Sequence, residues 1–272
     1  RTLAVVTNEG GASKLRFLNS ANGVEHWQPK LPVGVINHLR WGSKTELMYG
    51  LSWTLSPGQV VYLDVSSQEK LKWVETGMPN LNVDRFSEPR RIEWRSADGS
   101  KFDAWVYLPG QWISGRFTSI QPVRPSPVVV LFHGGPESQF RPRFMGRYNY
   151  LITEEQIVII CPNVRGSRGY GKKFLKADNG RERKSVLADI TRIYNQVAVE
   201  PHFDQNRIAV MGGSYGGFMA LHSMVEMNSF LKCGVDVVGI SNFVTFLENT
   251  SEYRRDLRRA EYGDEQLPEM RK

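Results

Sequence analysis

The 272-residue sequence has only two cysteines, five histidines and no apolar run near the length of a membrane span. Each scarcity excludes a class. Two cysteines cannot make a disulfide framework, and Cys161 in IVIICPN and Cys233 in LKCGVDVVGI both lie in apolar runs, so both read as buried free thiols. There is no CxxC and no HExxH, and the histidines are scattered, so no metal or other cofactor is expected. A membrane helix needs roughly eighteen consecutive apolar residues, and none is expected here. The opening RTLAVVTNEGGASK has neither an initiator Met nor the charged, apolar, small-residue order of a signal peptide. The true start is therefore expected to have been removed, and cytoplasmic and periplasmic or secreted locations both stay open. The net charge of +7 draws on RERK (181–184) and RRDLRRAE (254–261), which lack interleaved stacking aromatics. They read as mixed-sign surface helices, and no nucleic-acid partner is expected.

What is present is a substantial core, with 40% hydrophobic and 11% aromatic residues. Its texture changes along the chain. Residues 1–85 read as short strands at roughly ten-residue spacing, each rich in β-branched and aromatic residues and each ending in Asn, Gly, Ser or Pro. The 31–76 portion, four strands in a meander, is the size of one β-propeller blade, with the preceding strands assigned to the blade before it. Two blades cannot close a ring, so this part reads as the end of a larger array; a small sandwich is the alternative. From residue 86 a hairpin is expected around Asp98-Gly99. PVVVLFHGGP, IVIICPN, RIAVMGGS and CGVDVVGIS then read as strands buried on both faces of a parallel sheet. SVLADITRIYNQVAV (185–199) places Val186, Ile190, Ile193, Tyr194 and Val197 on one helix face. Strands alternating with helices define an α/β layer fold over 86–272.

Within that part, RIAVMGGSYGGFMALHSM contains G-x-S-x-G as Gly212-Gly213-Ser214-Tyr215-Gly216. An apolar strand runs into it and an apolar helix runs out. This is the strand–turn–helix elbow that holds a serine in a strained conformation above a sheet, with small residues at Gly212 and Gly216 where backbones pass closely. The same geometry calls for an oxyanion hole, with the N–H of Tyr215 as one donor. The second is sought in His133-Gly134-Gly135-Pro136, which ends an earlier apolar strand. The alternative is a serine capping a helix. Gly166 to Lys172 fits G-x-x-x-x-G-K, but Lys173 stands where a magnesium-binding Ser or Thr is required, so no phosphate site is expected.

HGGP, NVRGSRGYGKKF, GGSYGGF and the propeller-then-hydrolase order together resemble the prolyl oligopeptidase family of serine peptidases, in its bacterial HGGP-bearing branch. YRRDLRRAEYGDEQLPEM (253–270) resembles the segment after that family's sixth strand. The resemblance implies an α/β hydrolase, Ser214 as nucleophile, Tyr215 and Gly135 as oxyanion donors, and short peptides as substrates. It places Arg165 and Tyr170 in a loop beside the active site, as support. In some relatives a Tyr donates to the oxyanion from the place that His133 occupies; whether the imidazole does so is open.

In this hydrolase order an acid and then a histidine follow the serine. The last histidine is His222, eight residues on and roughly 12 Å along the outgoing helix, which reads as an ordinary helix-face residue. Asp236 lies in a strand and Asp256 and Asp264 in charged helical stretches, all poor acids for a triad. The chain is therefore expected to be a fragment, carrying the nucleophile and oxyanion hole but neither acid nor base, and nearly inactive alone. A carboxylesterase or lipase and a non-catalytic propeller-bearing interaction protein are the alternatives.

Overall fold

The computed structural model describes residues 1–78, 80–113, 116–119 and 124–271. Numbered along the chain, the strands are β1 (Thr2–Glu9), β2 (Ala12–Asn19), β3 (Glu25–Trp27), β4 (Gly34–Trp41), β5 (Glu46–Trp53), β6 (Ser56–Asp64), β7 (Lys70–Glu75), β8 (Arg90–Arg95), β9 (Lys101–Tyr107), β10 (Gly110–Ile113), β11 (Arg116–Ser119), β12 (Ser126–Phe132), β13 (Val158–Asn163), β14 (Phe203–Gly213) and β15 (Leu231–Val237). The helices are α1 (Tyr148–Thr153), α2 (Lys172–Leu175), α3 (Ser185–Val199), α4 (Tyr215–Glu226), α5 (Phe243–Glu248) and α6 (Glu252–Tyr262). They fall into two compact units.

The first unit comprises Arg1–Pro89, Tyr107–Ile120 and Arg141–Glu155. β1, β2 and β3 form one sheet, and β4 to β7 form a four-stranded antiparallel meander. The β1–β2 hairpin turns at Gly10-Gly11, both at positive φ (58° and 100°), the conformation in which a two-residue turn matches strand twist. Period-two burial sets the core: Leu15 and Phe17 on β2 meet Ile36, Leu47, Tyr49, Leu51, Val61 and Leu63. Each such side chain contributes about 1.5–3 kcal/mol by leaving water. The turn after β5 falls at Thr54-Leu55. Trp53 pairs with Ser56, so Pro57 and Gly58 lie inside β6. The β5 register slips there and the β7 ladder begins only at Gln59, so the missing proline N–H breaks no ladder bond. The short β10–β11 hairpin carries no strong alternation, and the sequence does not announce it.

The second unit comprises Arg90–Val106, Gln121–Phe140 and Gln156–Lys272, around a six-stranded sheet of order β15-β14-β12-β13-β9-β8. β8 and β9 form the expected antiparallel hairpin, with Gly99 at φ 82° in its turn. β12 pairs in parallel with both β13 and β14, and β14 with β15. β13 is buried along its whole length, as a central parallel strand with both faces covered must be. α3 buries Val186, Ile190, Ile193, Tyr194 and Val197, the face its spacing predicts. β15 departs from expectation. It has the apolar composition of a buried strand but stands at the sheet edge, and Cys233 is exposed, unlike Cys161. Composition records what a strand could bury, whereas burial depends on neighbours, and among the described residues β15 pairs only with β14.

Candidate active site

β14 runs directly into α4, and the residue at the junction is Ser214, with φ 56° and ψ −118°. A non-glycine residue in this region is strained by roughly 1–3 kcal/mol and persists only where the surroundings over-determine it. Here they do. The Ser214 N–H donates to the Val237 carbonyl at 3.0 Å, and its own carbonyl accepts from Phe218 N–H at 3.1 Å. The flanking glycines are sterically compelled. A Cβ on Gly212 would lie 2.0 Å from the Gly216 carbonyl oxygen, and one on Gly216 would lie 2.4 Å from that of Phe132. The G-x-S-x-G spacing thus follows from the close approach of β14, α4 and the end of β12.

β12 ends at Phe132, and the next residues turn over Ser214. A Cβ on Gly134 would sit 3.1 Å from the Gly213 carbonyl oxygen and 3.9 Å from Ser214 Oγ. Gly135, at φ 129°, precedes a cis peptide to Pro136, and a Cβ there would lie 2.7 Å from Glu137 N. Tyr215 N–H belongs to the first turn of α4, whose N–H groups have no partner within the helix. Ser214, Tyr215, Gly134 and Gly135 therefore share one corner of the second unit.

His133 is buried and both ring nitrogens are engaged. Nδ1 lies 2.7 Å from the Gly134 carbonyl and Nε2 lies 3.0 Å from Ser167 Oγ. Burial lowers the imidazole pKa, partly opposed by the Gly134 contact. The ring thus ties the oxyanion-strand turn to the 163–174 loop, with neither nitrogen left over for a substrate. Arg165 and Tyr170 are structural in the same way. Arg165 is buried in ion pairs with Asp189 at 2.6 Å and Asp98 at 2.8 Å. Its pKa rises through the Asp189 contact, while Arg165 draws the Asp98 carboxyl down to about 2. The Tyr170 hydroxyl donates to Asp103 Oδ1 at 2.5 Å, and burial pushes its pKa up.

His222 lies on α4, half-buried beside Phe218, its ring centroid 6.3 Å away, with its pKa lowered by burial. Asp236 is in β15 and Asp256 in α6, but Asp264 falls just beyond α6, whose cap is Gly263. Among the described residues no group of three or more His, Cys, Asp or Glu side chains could hold a metal ion.

Sequence reasoning misplaced one residue of consequence. Arg183, in the basic run RERK, is not a surface charge but is buried, paired with Asp178 at 2.5 Å and with the Tyr215 hydroxyl at 2.7 Å. Only the long-range packing of α6 and Tyr215 around it distinguishes it from its exposed neighbours Arg181 and Glu182.

A parallel sheet whose strand enters a strained serine and leaves as a helix is an α/β-hydrolase-like fold. Residues 142–271 match the prolyl oligopeptidase family. The chain is 34% identical over 129 residues to dipeptidyl aminopeptidase BIII of Pseudoxanthomonas mexicana, covering 47% of this chain and 19% of that protein. It is 35% identical over 124 residues to the acylamino-acid-releasing enzyme of Mus musculus, covering 46% of this chain and 17% of that enzyme. A crystal structure of puromycin hydrolase superposes with a TM-score of 0.80 at 25% identity, over 98% of this chain and 40% of that one. A prolyl endopeptidase shares the fold at a TM-score of 0.81 and 20% identity, over 98% and 38% of the two chains. The chain thus spans less than half the length of the relatives it matches. No helix among the described residues is long and apolar enough to cross a membrane.

Proposed function

We propose that these residues form part of a serine peptidase of the prolyl oligopeptidase family that acts on short peptides. The observation that carries this reading is the conformation of Ser214, strained at the β14–α4 junction with Gly134 packed over its Oγ. Ser214 Oγ attacks the peptide carbonyl, and the developing oxyanion is held by the N–H groups of Tyr215 and Gly135. An acyl-enzyme forms, the amine leaves, and water releases the acyl group. The proton of Ser214 needs a base oriented by an acid. His133 is fully occupied and His222 sits on the outgoing helix, so both groups are assigned to sequence outside these residues. Four-stranded β4–β7 fits one blade of a propeller over residues 1–85, with β1–β3 belonging to another blade, and residues 86–272 carry the hydrolase part. The matched relatives include a dipeptidyl aminopeptidase and an acylamino-acid-releasing enzyme, which favours peptides over simple esters as substrates.

The test is reaction of the full-length protein with a fluorophosphonate probe, followed by mapping of the modified residue. Labelling at Ser214, abolished in Ser214→Ala, is expected, together with turnover of a peptide amide. No labelling of a folded full-length protein would mean that the elbow is structural only. Turnover of a p-nitrophenyl ester without the amide would move the assignment to an esterase.

A further inference from the structure

Both proposed oxyanion donors are backbone N–H groups, and a backbone N–H points only where its peptide is held. The two donor residues meet one buried cluster, Tyr215 through its side chain and Gly135 through the carbonyl of the peptide that follows its N–H. Tyr215 is fully buried; its hydroxyl accepts from Arg183 Nη1 at 2.7 Å and donates to Asp178 Oδ2 at 2.9 Å. The carbonyl of Gly135 accepts from the Tyr262 hydroxyl at 2.6 Å. Gly135 is in a glycine-favouring conformation at φ 129°, with no side chain of its own to anchor it. Tyr262 comes from the end of α6, over a hundred residues away in sequence, and is itself buried. The Arg183 guanidinium lies between the two tyrosines, 4.9 Å from the Tyr215 ring centre and 5.0 Å from that of Tyr262. It also donates to the carbonyl of Glu261, the residue before Tyr262. Phe243 and Phe246 close the cluster against the Tyr262 ring, at 5.5 Å and 5.3 Å.

From this geometry we infer that Tyr262 and Arg183 are positioning residues for the oxyanion hole. Tyr262 holds the Gly135 side through its hydroxyl, and Arg183 holds the Tyr215 side through the Tyr215 hydroxyl. Arg183 joins the two by lying close to both rings and donating to the Glu261 carbonyl beside Tyr262. A planar guanidinium suits this place because it donates in its plane while its faces contact aromatic rings, which a lysine cannot reproduce. The inference rests on the assignment of Ser214, Tyr215 and Gly135 above.

Its test uses the full-length protein and the variant Tyr262→Phe, which removes one hydroxyl and keeps the ring against Arg183. An interaction that matters only when the oxyanion forms lowers kcat and leaves KM nearly unchanged. Deleting a direct oxyanion donor costs about 100–1,000-fold in kcat, so loosening one is expected to cost on the order of 10-fold. Affinity for a peptidyl boronate, whose tetrahedral adduct mimics the intermediate, is expected to fall by the same factor. Affinity for a substrate-like competitive inhibitor is expected to hold. Arg183→Lys is expected to show the same split with a larger kcat loss, and it stands as the second reading should Tyr262→Phe not fold. If the wild type is labelled at Ser214 but the folded variants keep kcat and boronate affinity within twofold, the positioning role is overturned and the peptidase assignment survives. A kcat loss that tracks only a lowered melting temperature, with boronate and inhibitor affinities falling together, overturns it equally. If the wild type is not labelled at all, the peptidase assignment fails first.

Discussion

The two units bury different kinds of polar group. In the first, the buried polar side chains among the described residues are small or neutral: Ser13, Ser52, Thr54, Ser56, Ser87, Asn149 and Thr153. In the second they include charges: Asp103, Arg165, Asp178, Arg183, Asp189 and Glu265, with His133. A meander core needs only alternating apolar residues, and one neighbour is enough to satisfy a buried hydroxyl. Ser13 Oγ, for example, accepts from Ile36 N–H at 2.9 Å. Buried ions are costly and persist when paired. Their concentration in the unit that carries Ser214 indicates that loops and helix ends around the elbow are held by ionic networks rather than by apolar packing alone. Asp189 supports the 163–174 loop through Arg165, and Asp178 and Arg183 support Tyr215.

That contrast can be broken by substitution. The largest expected stability change is Asp189→Ala, which leaves the buried Arg165 guanidinium with only the half-exposed Asp98 as partner and is expected to cost about 3–5 kcal/mol in chemical denaturation. Leu47→Ala in the meander core is expected to cost about 2–5 kcal/mol through lost burial and a cavity, with no dependence on ionic strength. Ser13→Ala is expected to cost about 1–3 kcal/mol, the penalty for leaving the buried Ile36 N–H without its acceptor. A Ser13→Ala loss as large as that of Asp189→Ala would erase the distinction between the units.

Two pH effects sharpen it. His133 is held neutral by burial, so its folded pKa lies below the ordinary imidazole value while the unfolded chain takes up a proton near pH 6.5. The fold is therefore expected to lose stability as pH falls from about 6.5 through the folded pKa, by at most about 1.4 kcal/mol per pH unit for one proton. His133→Gln should flatten that slope in denaturation curves taken between pH 7 and pH 5. The smallest effect concerns Asp98, drawn down to about 2 from an ordinary 3.8 by Arg165. Its contribution is present above the ordinary value and is lost as pH falls toward 2. Asp98 is half exposed, so Asp98→Asn should give only a slight flattening in that window.

How far the site was legible follows from which residues act locally. The elbow could be read because Gly212, Ser214 and Gly216 form one short pattern between an apolar strand and an apolar helix, and Gly212 answers to Gly216 four residues on. The Phe132 and Val237 carbonyls that also crowd and hold the turn come from distant strands. The helix 185–199 could be read because its five core residues share one face. The basic run 181–184 could not be read, since Arg181 and Arg183 have the same side chain and differ only in what packs on them. Cys233 failed for the complementary reason: its strand is apolar, but burial requires elements on either side of it.

The sequence by itself determined the order of the β-meander and the α/β part, the period-two core of β2, β5 and β6, the buried parallel strands β12 and β13, and the glycine-flanked turn at Ser214. Those features depend on chirality, side-chain periodicity and backbone crowding, which act over short stretches of chain. Only the tertiary structure decided that His133 is occupied at both nitrogens, that Arg165 and Arg183 are buried ions, and that Tyr262 reaches the Gly135 carbonyl. Those partners lie up to 127 residues apart, and no local rule selects one arginine or tyrosine over another until the chain has brought them together.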